Sequence, residues 1–212
     1  MLMSPLEQSL IAFTLAAALM TMTPGLDTAL VLRAATVEGG RRAWAASLGV
    51  CLGCLAWGAV VAGGLGVLLA ASETAYRMLK YAGAAYLVWL GLKLILSQRD
   101  DFGTSAPDGA RDAGEWLWFR RGMLTNLLNP KVGIFYVSFL PQFVPPGHDV
   151  AATTLLLAGI HALLGLAWFA ALILATRPVA AALRRPRTIR WLDRATGTVF
   201  LLFAARLALS RH

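Results

Sequence analysis

The chain has 212 residues, of which 58% are hydrophobic and only 14% charged, and its mean hydropathy is +0.65. A soluble domain usually carries about a quarter charged residues, so this composition excludes an ordinary water-soluble globule and points to helices in lipid. The net charge of +8 would suit nucleic acid, but the arginines and lysines lie between apolar runs and read as topology signals, so no nucleic-acid partner is expected.

The N-terminal residues "MLMSPLEQS" contain Glu7 and no Lys or Arg. A secretory leader would begin with positive charge, so the first apolar segment is expected to remain in the protein. A spanning helix needs about 20 largely apolar residues. The first predicted span covers residues 8–30, where Asp27 is the sole charge. The second, 44–68, lies in the uncharged run 43–72 and contains "CLGC", Cys51 and Cys54. In a soluble protein that spacing would suggest redox or zinc chemistry. Within lipid it reads as two small side chains on one helix face, and no metal or other cofactor is expected.

The third predicted span, 76–96, is framed by Lys80 and Lys93, whose long stems can reach the interface. A polar linker follows. The fourth span, 120–140, holds Lys131; the fifth, 151–175, holds His161; the sixth, 194–210, holds Arg206. The loops after spans one, three and five carry 14 Lys and Arg residues and the opposite side 4. The positive-inside rule makes the richer side cytoplasmic and both termini external. The tract "RRPRTIR" then reads as a cytoplasmic anchor that can touch anionic lipid headgroups.

Two features repeat. "TPGLD" at residues 23–27 is echoed by "NPKVG" at 129–133, and "GAAYLVWLGLKL" from Gly83 by "GTVFLLFAARLA" from Gly197. The expected fold is an all-α polytopic membrane protein of six transmembrane helices in two three-helix repeats. The repeats are residues 1–96 and 120–212, joined by a cytoplasmic linker over 97–119. Three is odd, so the second unit enters the bilayer from the opposite face and the repeats are inverted.

Proline removes a backbone donor and clashes with the preceding turn. Pro24–Gly25 and Asn129–Pro130 are therefore expected to open turns within spans one and four. Broken backbone at membrane depth is tolerated only where it faces protein or water, and there its polar groups can hold a solute. An amino acid fits: N–H groups near Gly25 or Lys131 take the carboxylate, and Asp27 takes the ammonium or a coupling proton. Lys131 can pair with Asp27 or meet the carboxylate. Competing readings make Asp27 a helix cap or a structural partner of Lys131, Lys131 a snorkelling cation, His161 a packing residue rather than a proton relay, and Arg206 an interfacial residue. Gly49 and Gly53 form GxxxG, which permits close helix approach.

"TPGLDTALVLRAATVEGGRRAWAASLGVCLG", "YAGAAYLVWLGLKLI" and "FRRGMLTNLLNPKVGIFYVSFLPQFV", in this order, resemble the amino-acid exporters of the lysine exporter superfamily, in particular its homoserine/threonine resistance branch. The resemblance spans nearly the whole chain apart from residues 97–115. It implies a bacterial inner-membrane exporter of amino acids such as threonine, homoserine, leucine or lysine, driven by protons. By position its signature residues would be Pro24, Gly25, Asp27, Gly39, Gly49, Asn129, Pro130, Lys131, Pro141 and Gln142. The family often places a second proline after Gly25, where this chain has Leu26.

An intramembrane enzyme would need a Ser–His pair, paired Asp or a His-rich metal motif, and none is present. A structural membrane protein would leave Asp27 and two proline breaks without purpose. A cation exporter would want more acidic or thiol ligands than Asp27 and two cysteines. No nucleotide-binding loop appears, so the expected partners are the solute, protons and lipid, with room for a homodimer.

Overall fold

The computed structural model describes residues 3–71, 78, 81, 84–85, 88–89, 91–93, 95–96, 114–175 and 185–209. The described elements are helical. Ser4 starts the first helix, α1 (Pro5–Met22): its hydroxyl accepts from the Glu7 N–H and the Glu7 carboxylate accepts from the Ser4 N–H at 2.7 Å. This reciprocal cap satisfies end donors that lipid cannot. After the break at residues 23–25 come α2 (Leu26–Arg33) and a π-helical turn, Ala34–Glu38. Gly39 ends that turn with φ of 94°, a left-handed conformation suited to glycine.

Helix α3 (Gly40–Ala71) is followed by α4 (Glu115–Leu127), a second break, α5 (Pro130–Ile134), the π-helical turn Phe135–Phe139 and the 3₁₀ turn Leu140–Phe143. Then come α6 (Val150–Leu174), capped by Asp149, and α7 (Pro186–Leu209). The order helix, break, short helix, π-helical turn thus occurs twice.

Among the described residues, three helical stretches are long and apolar enough to cross a bilayer: Pro5–Met22, Gly40–Gly64 and Val150–Leu174. The chain is therefore an all-α, multi-pass membrane protein. Span two (44–68) and span five (151–175) fall on α3 and α6. Span one (8–30) is instead two helices, Pro5–Met22 and Leu26–Arg33, separated at residues 23–25. In span four (120–140) the helix already begins at Glu115, inside the expected linker, and Pro130 opens a new helix. The helix carrying the sixth expected span starts at Pro186, so Arg187, Arg190 and Arg194 are helical rather than loop residues. Counting apolar residues locates the buried part of a helix but not how far it projects. The described positions of span three are helical, while its other residues and most of the linker, with Arg177 and Arg184, lie outside the described residues.

Helix α3 is the hub, packed along α4 and α6. A Cβ on Gly49 would overlap the Phe119 carbonyl of α4, and one on Gly122 of α4 would overlap the Ala46 carbonyl of α3. Lipid supplies little hydrophobic drive between helices, so this close backbone approach supplies the packing. Phe13, Phe135, Phe139 and Phe143 pack ring against ring in one buried cluster. Val31, Ala46, Val50, Trp118, Phe169 and Leu172 form a second.

Candidate solute-binding site

The residue before each proline is extended: Thr23 has φ/ψ of −68°/117° and Asn129 of −79°/109°. The proline ring disfavours helical backbone at that position, so the breaks are written locally in the sequence. At the first break the Thr23 N–H and hydroxyl both turn back to the Leu19 carbonyl, at 3.0 and 2.8 Å. Gly25 caps α2 without a side chain, and Asp27 lies at its second position. A carboxylate is favoured there by the positive end of the helix dipole. At the second break the Asn129 side chain accepts from the Lys131 N–H at 3.1 Å, and Pro130 occupies the first helical position. A proline's missing donor costs nothing at that position.

The two breaks meet. Lys131 Nζ reaches across to donate to the Met20 and Thr23 carbonyls, at 3.2 and 3.0 Å. Its ammonium thus satisfies carbonyls that the first break leaves at the end of α1. Asp27 Oδ2 accepts from Asn126 Nδ2 at 2.9 Å, and the same amide lies 3.4 Å from Cys54 Sγ. Asp27 Oδ1 is buried and has no hydrogen-bond partner, as are Thr21 Oγ1 and Asn126 Oδ1. Such groups are costly unless something completes them.

A cavity of about 50 Å³ lies between the breaks and helices α3 and α6. Of the sequence-predicted site residues, Gly25, Asp27, Asn129, Lys131 and His161 line it. Pro24 precedes the Gly25 cap of α2, and Pro130 is the first residue of α5. His161 Nδ1 shares a 3.0 Å hydrogen bond with the Tyr136 hydroxyl, and its ring lies 5.2 Å from that of Phe135. The histidine is therefore packed and partnered while still reaching the cavity wall. Arg206 lies on α7. Both cysteines are free thiols and buried. They are more than filler: Cys51 donates to the Ala162 carbonyl at 3.4 Å and lines the cavity, and Cys54 meets Asn126.

Sequence reasoning missed Asn126. The signal was available, since an asparagine one turn before Asn129 in an apolar helix seeks a polar partner as Asp27 does. Thr21 and Thr28 were missed because threonine is common in membrane helices and usually bonds its own backbone.

Carboxylate, ammonium, amides and hydroxyls thus converge on one small buried space. This arrangement can bind a group carrying both charges, or hold and release a proton at Asp27. Among the described residues, no three His, Cys, Asp or Glu side chains gather as a metal site would require.

The LysE type translocator family matches residues 18–211, nearly the whole chain. The chain belongs to that family. Among individual relatives of this LysE type translocator, the homoserine/homoserine lactone efflux protein of Salmonella typhimurium is 30% identical, over 95% of this chain and 96% of its own. The leucine efflux protein of Enterobacter sp. is also 30% identical, over 92% and 93%. The threonine efflux protein of Escherichia coli K12 is 30% identical, over 90% and 92%. No solved structure matches the chain.

Proposed function

We propose that this translocator is a secondary transporter that exports amino acids across the bacterial inner membrane in exchange for protons. The observation that carries this reading is the cavity in which the Asp27 carboxylate and the Lys131 ammonium face one space between two broken helices. An amino acid presents the complementary pair. Its ammonium fits Asp27 Oδ1, which has no partner. Its carboxylate fits Lys131 and the N–H groups opening α2. The efflux activities named for three relatives point the same way. The candidate substrate- and proton-binding residues are Pro24, Gly25, Asp27, Asn129, Pro130, Lys131 and His161.

The cavity's 50 Å³ is room for a few waters, each needing about 10–15 Å³ by this measure, and not for an amino acid. Loading must therefore widen it, as alternating access requires. In this reading, six spans form two inverted repeats, residues 1–96 and 120–212, with the linker 97–119 in the cytoplasm, both termini outside and two copies forming a homodimer. The repeated order of helix, break, short helix and π-helical turn supports the repeat, and the skew of 14 to 4 in Lys and Arg supports the orientation.

The test is export from cells loaded with dipeptides, which release amino acids inside without a dedicated importer. Cells expressing the chain should release one or more amino acids faster than control cells, and dissipating the proton gradient should slow that release. No acceleration for any amino acid, with the protein in the membrane, would rule the function out. For topology, a cytoplasm-active reporter fused at His212 should be silent and one near Ala106 active; the reverse pair would overturn the orientation.

A further inference from the structure

The cavity has two unlike walls. The broken helices contribute polar side chains, among them Thr21, Asp27, Asn129 and Lys131. The unbroken α3 and α6 contribute a more apolar set, Val50, Cys51, Cys54, Ala162, Gly165 and Phe169, together with His161. Among the described residues that line the cavity, Asp27 is the sole carboxylate. If Asp27 and Lys131 hold the ammonium and carboxylate of a substrate, the third substituent on its α-carbon is directed at α3 and α6.

Gly165 differs from the other interhelical glycines. A Cβ on Gly49 or Gly122 would strike backbone, and one on Gly53 would come within 2.6 Å of Asn126 Oδ1. A Cβ on Gly165 would meet Cys51 Sγ and Phe169 Cε2, each at 3.9 Å, which is ordinary van der Waals contact. Helix packing does not demand glycine at 165. What the missing side chain leaves is space on the cavity wall, between a thiol and an aromatic ring. The Cys51 S–H is directed to the Ala162 carbonyl, so its sulfur offers the cavity a soft, weakly polar surface.

We propose that Gly165, with Cys51 and Phe169, forms the subsite for the substrate's side chain, and that this subsite takes an uncharged aliphatic group. The inference rests on the amino-acid export reading and narrows it. A lysine-like side chain would bring a second ammonium to a wall with no second carboxylate, and burying an unpaired charge is prohibitive.

The experiment uses the purified full chain in liposomes and counterflow of labelled alanine, leucine and lysine. Wild type should carry alanine and leucine and not lysine. Gly165→Ala adds one methyl group to the subsite. It should lower leucine transport relative to alanine by about tenfold, the scale of one methylene in a fitted apolar pocket. Cys51→Ala removes volume from the same wall and should raise the leucine-to-alanine ratio, which keeps the test decisive if the glycine variant inserts poorly. An unchanged ratio in both variants, with transport intact, would overturn the subsite and leave the export reading standing. Lysine carried as well as leucine would overturn the aliphatic assignment. If wild type carries no amino acid, the export reading fails and the subsite with it.

Discussion

The two breaks are built alike and held differently. Each has an extended residue before proline, then a short helix and a π-helical turn. The second is self-sufficient: Asn129 caps its own helix, and α4 is locked to α3 by the reciprocal contacts of Gly49 and Gly122. The first is not. Gly25 brings no capping side chain, and the Met20 and Thr23 carbonyls depend on Lys131 from the far half of the chain. The first break is therefore the adjustable one and the second the fixed frame. Lys131 ties the two together and also lines the cavity; in the proposed reading, a solute carboxylate that drew its ammonium away would loosen the first break.

The largest effect is expected from cutting that tie. Lys131→Met keeps the stem and removes the charge. Carbonyls at the end of α1 lose a charged donor, and Asp27 loses a nearby cation. Two hydrogen bonds from a charged donor are lost, each worth about 1.5–3 kcal/mol, so counterflow should fall by at least about a hundredfold at matched insertion. Lys131→Arg should recover only part, because the planar fork does not reproduce a compact ammonium. Normal counterflow by the methionine variant would show that the first break stands alone.

Next comes the carboxylate. Asp27→Asn keeps the shape and cannot carry a proton. In liposomes it should retain weak counterflow, while an imposed pH gradient that accelerates wild type should leave it unmoved. If the variant responds to the gradient as wild type does, Asp27 is a structural residue of α2 and proton coupling must be sought at His161.

Asn126 should matter less, because in the proposed reading it would act on the solute only through Asp27. Its amide holds Asp27 Oδ2, while Oδ1 is buried without a hydrogen-bond partner. A hydrogen bond to a charged group is worth about 1.5–3 kcal/mol, so Asn126→Ala should weaken apparent substrate affinity by roughly 10- to 100-fold. A residue that merely packed against Gly53 would lower the amount of inserted protein and leave affinity unchanged. That split separates positioning from packing.

The comparison also shows what a sequence discloses. Both breaks were legible because proline acts on its immediate neighbours, and Asp27 and Lys131 stood out because charge is rare in apolar helices. What they touch was not legible. That Lys131 would meet Met20 and Thr23, more than 100 positions earlier, and that Asn126 would bridge Asp27 and Cys54, depend on how the helices pack. Gly165 looked like any membrane-helix glycine, since space on a cavity wall has no local signature.

The smallest effect is expected at one of the prolines, and it breaks a symmetry that the sequence suggests. Read alone, Pro24→Ala and Pro130→Ala should both close their breaks and abolish export. The structure separates them. Pro130 is the first residue of α5, where proline is only a convenience, and the Asn129 cap stays in place after substitution. Pro24 precedes the glycine cap of α2 and holds Thr23 extended. Without it, α1 is free to continue toward Leu26, burying the carbonyls that Lys131 now reaches. Pro24→Ala should therefore lose most export, whereas Pro130→Ala should stay within about threefold of wild type. Asn129→Ala, which deletes the cap itself at a cost of about 1 kcal/mol, should do more harm than Pro130→Ala. Equal losses at the two prolines, with equal protein in the membrane, would mean that the second break is as adjustable as the first.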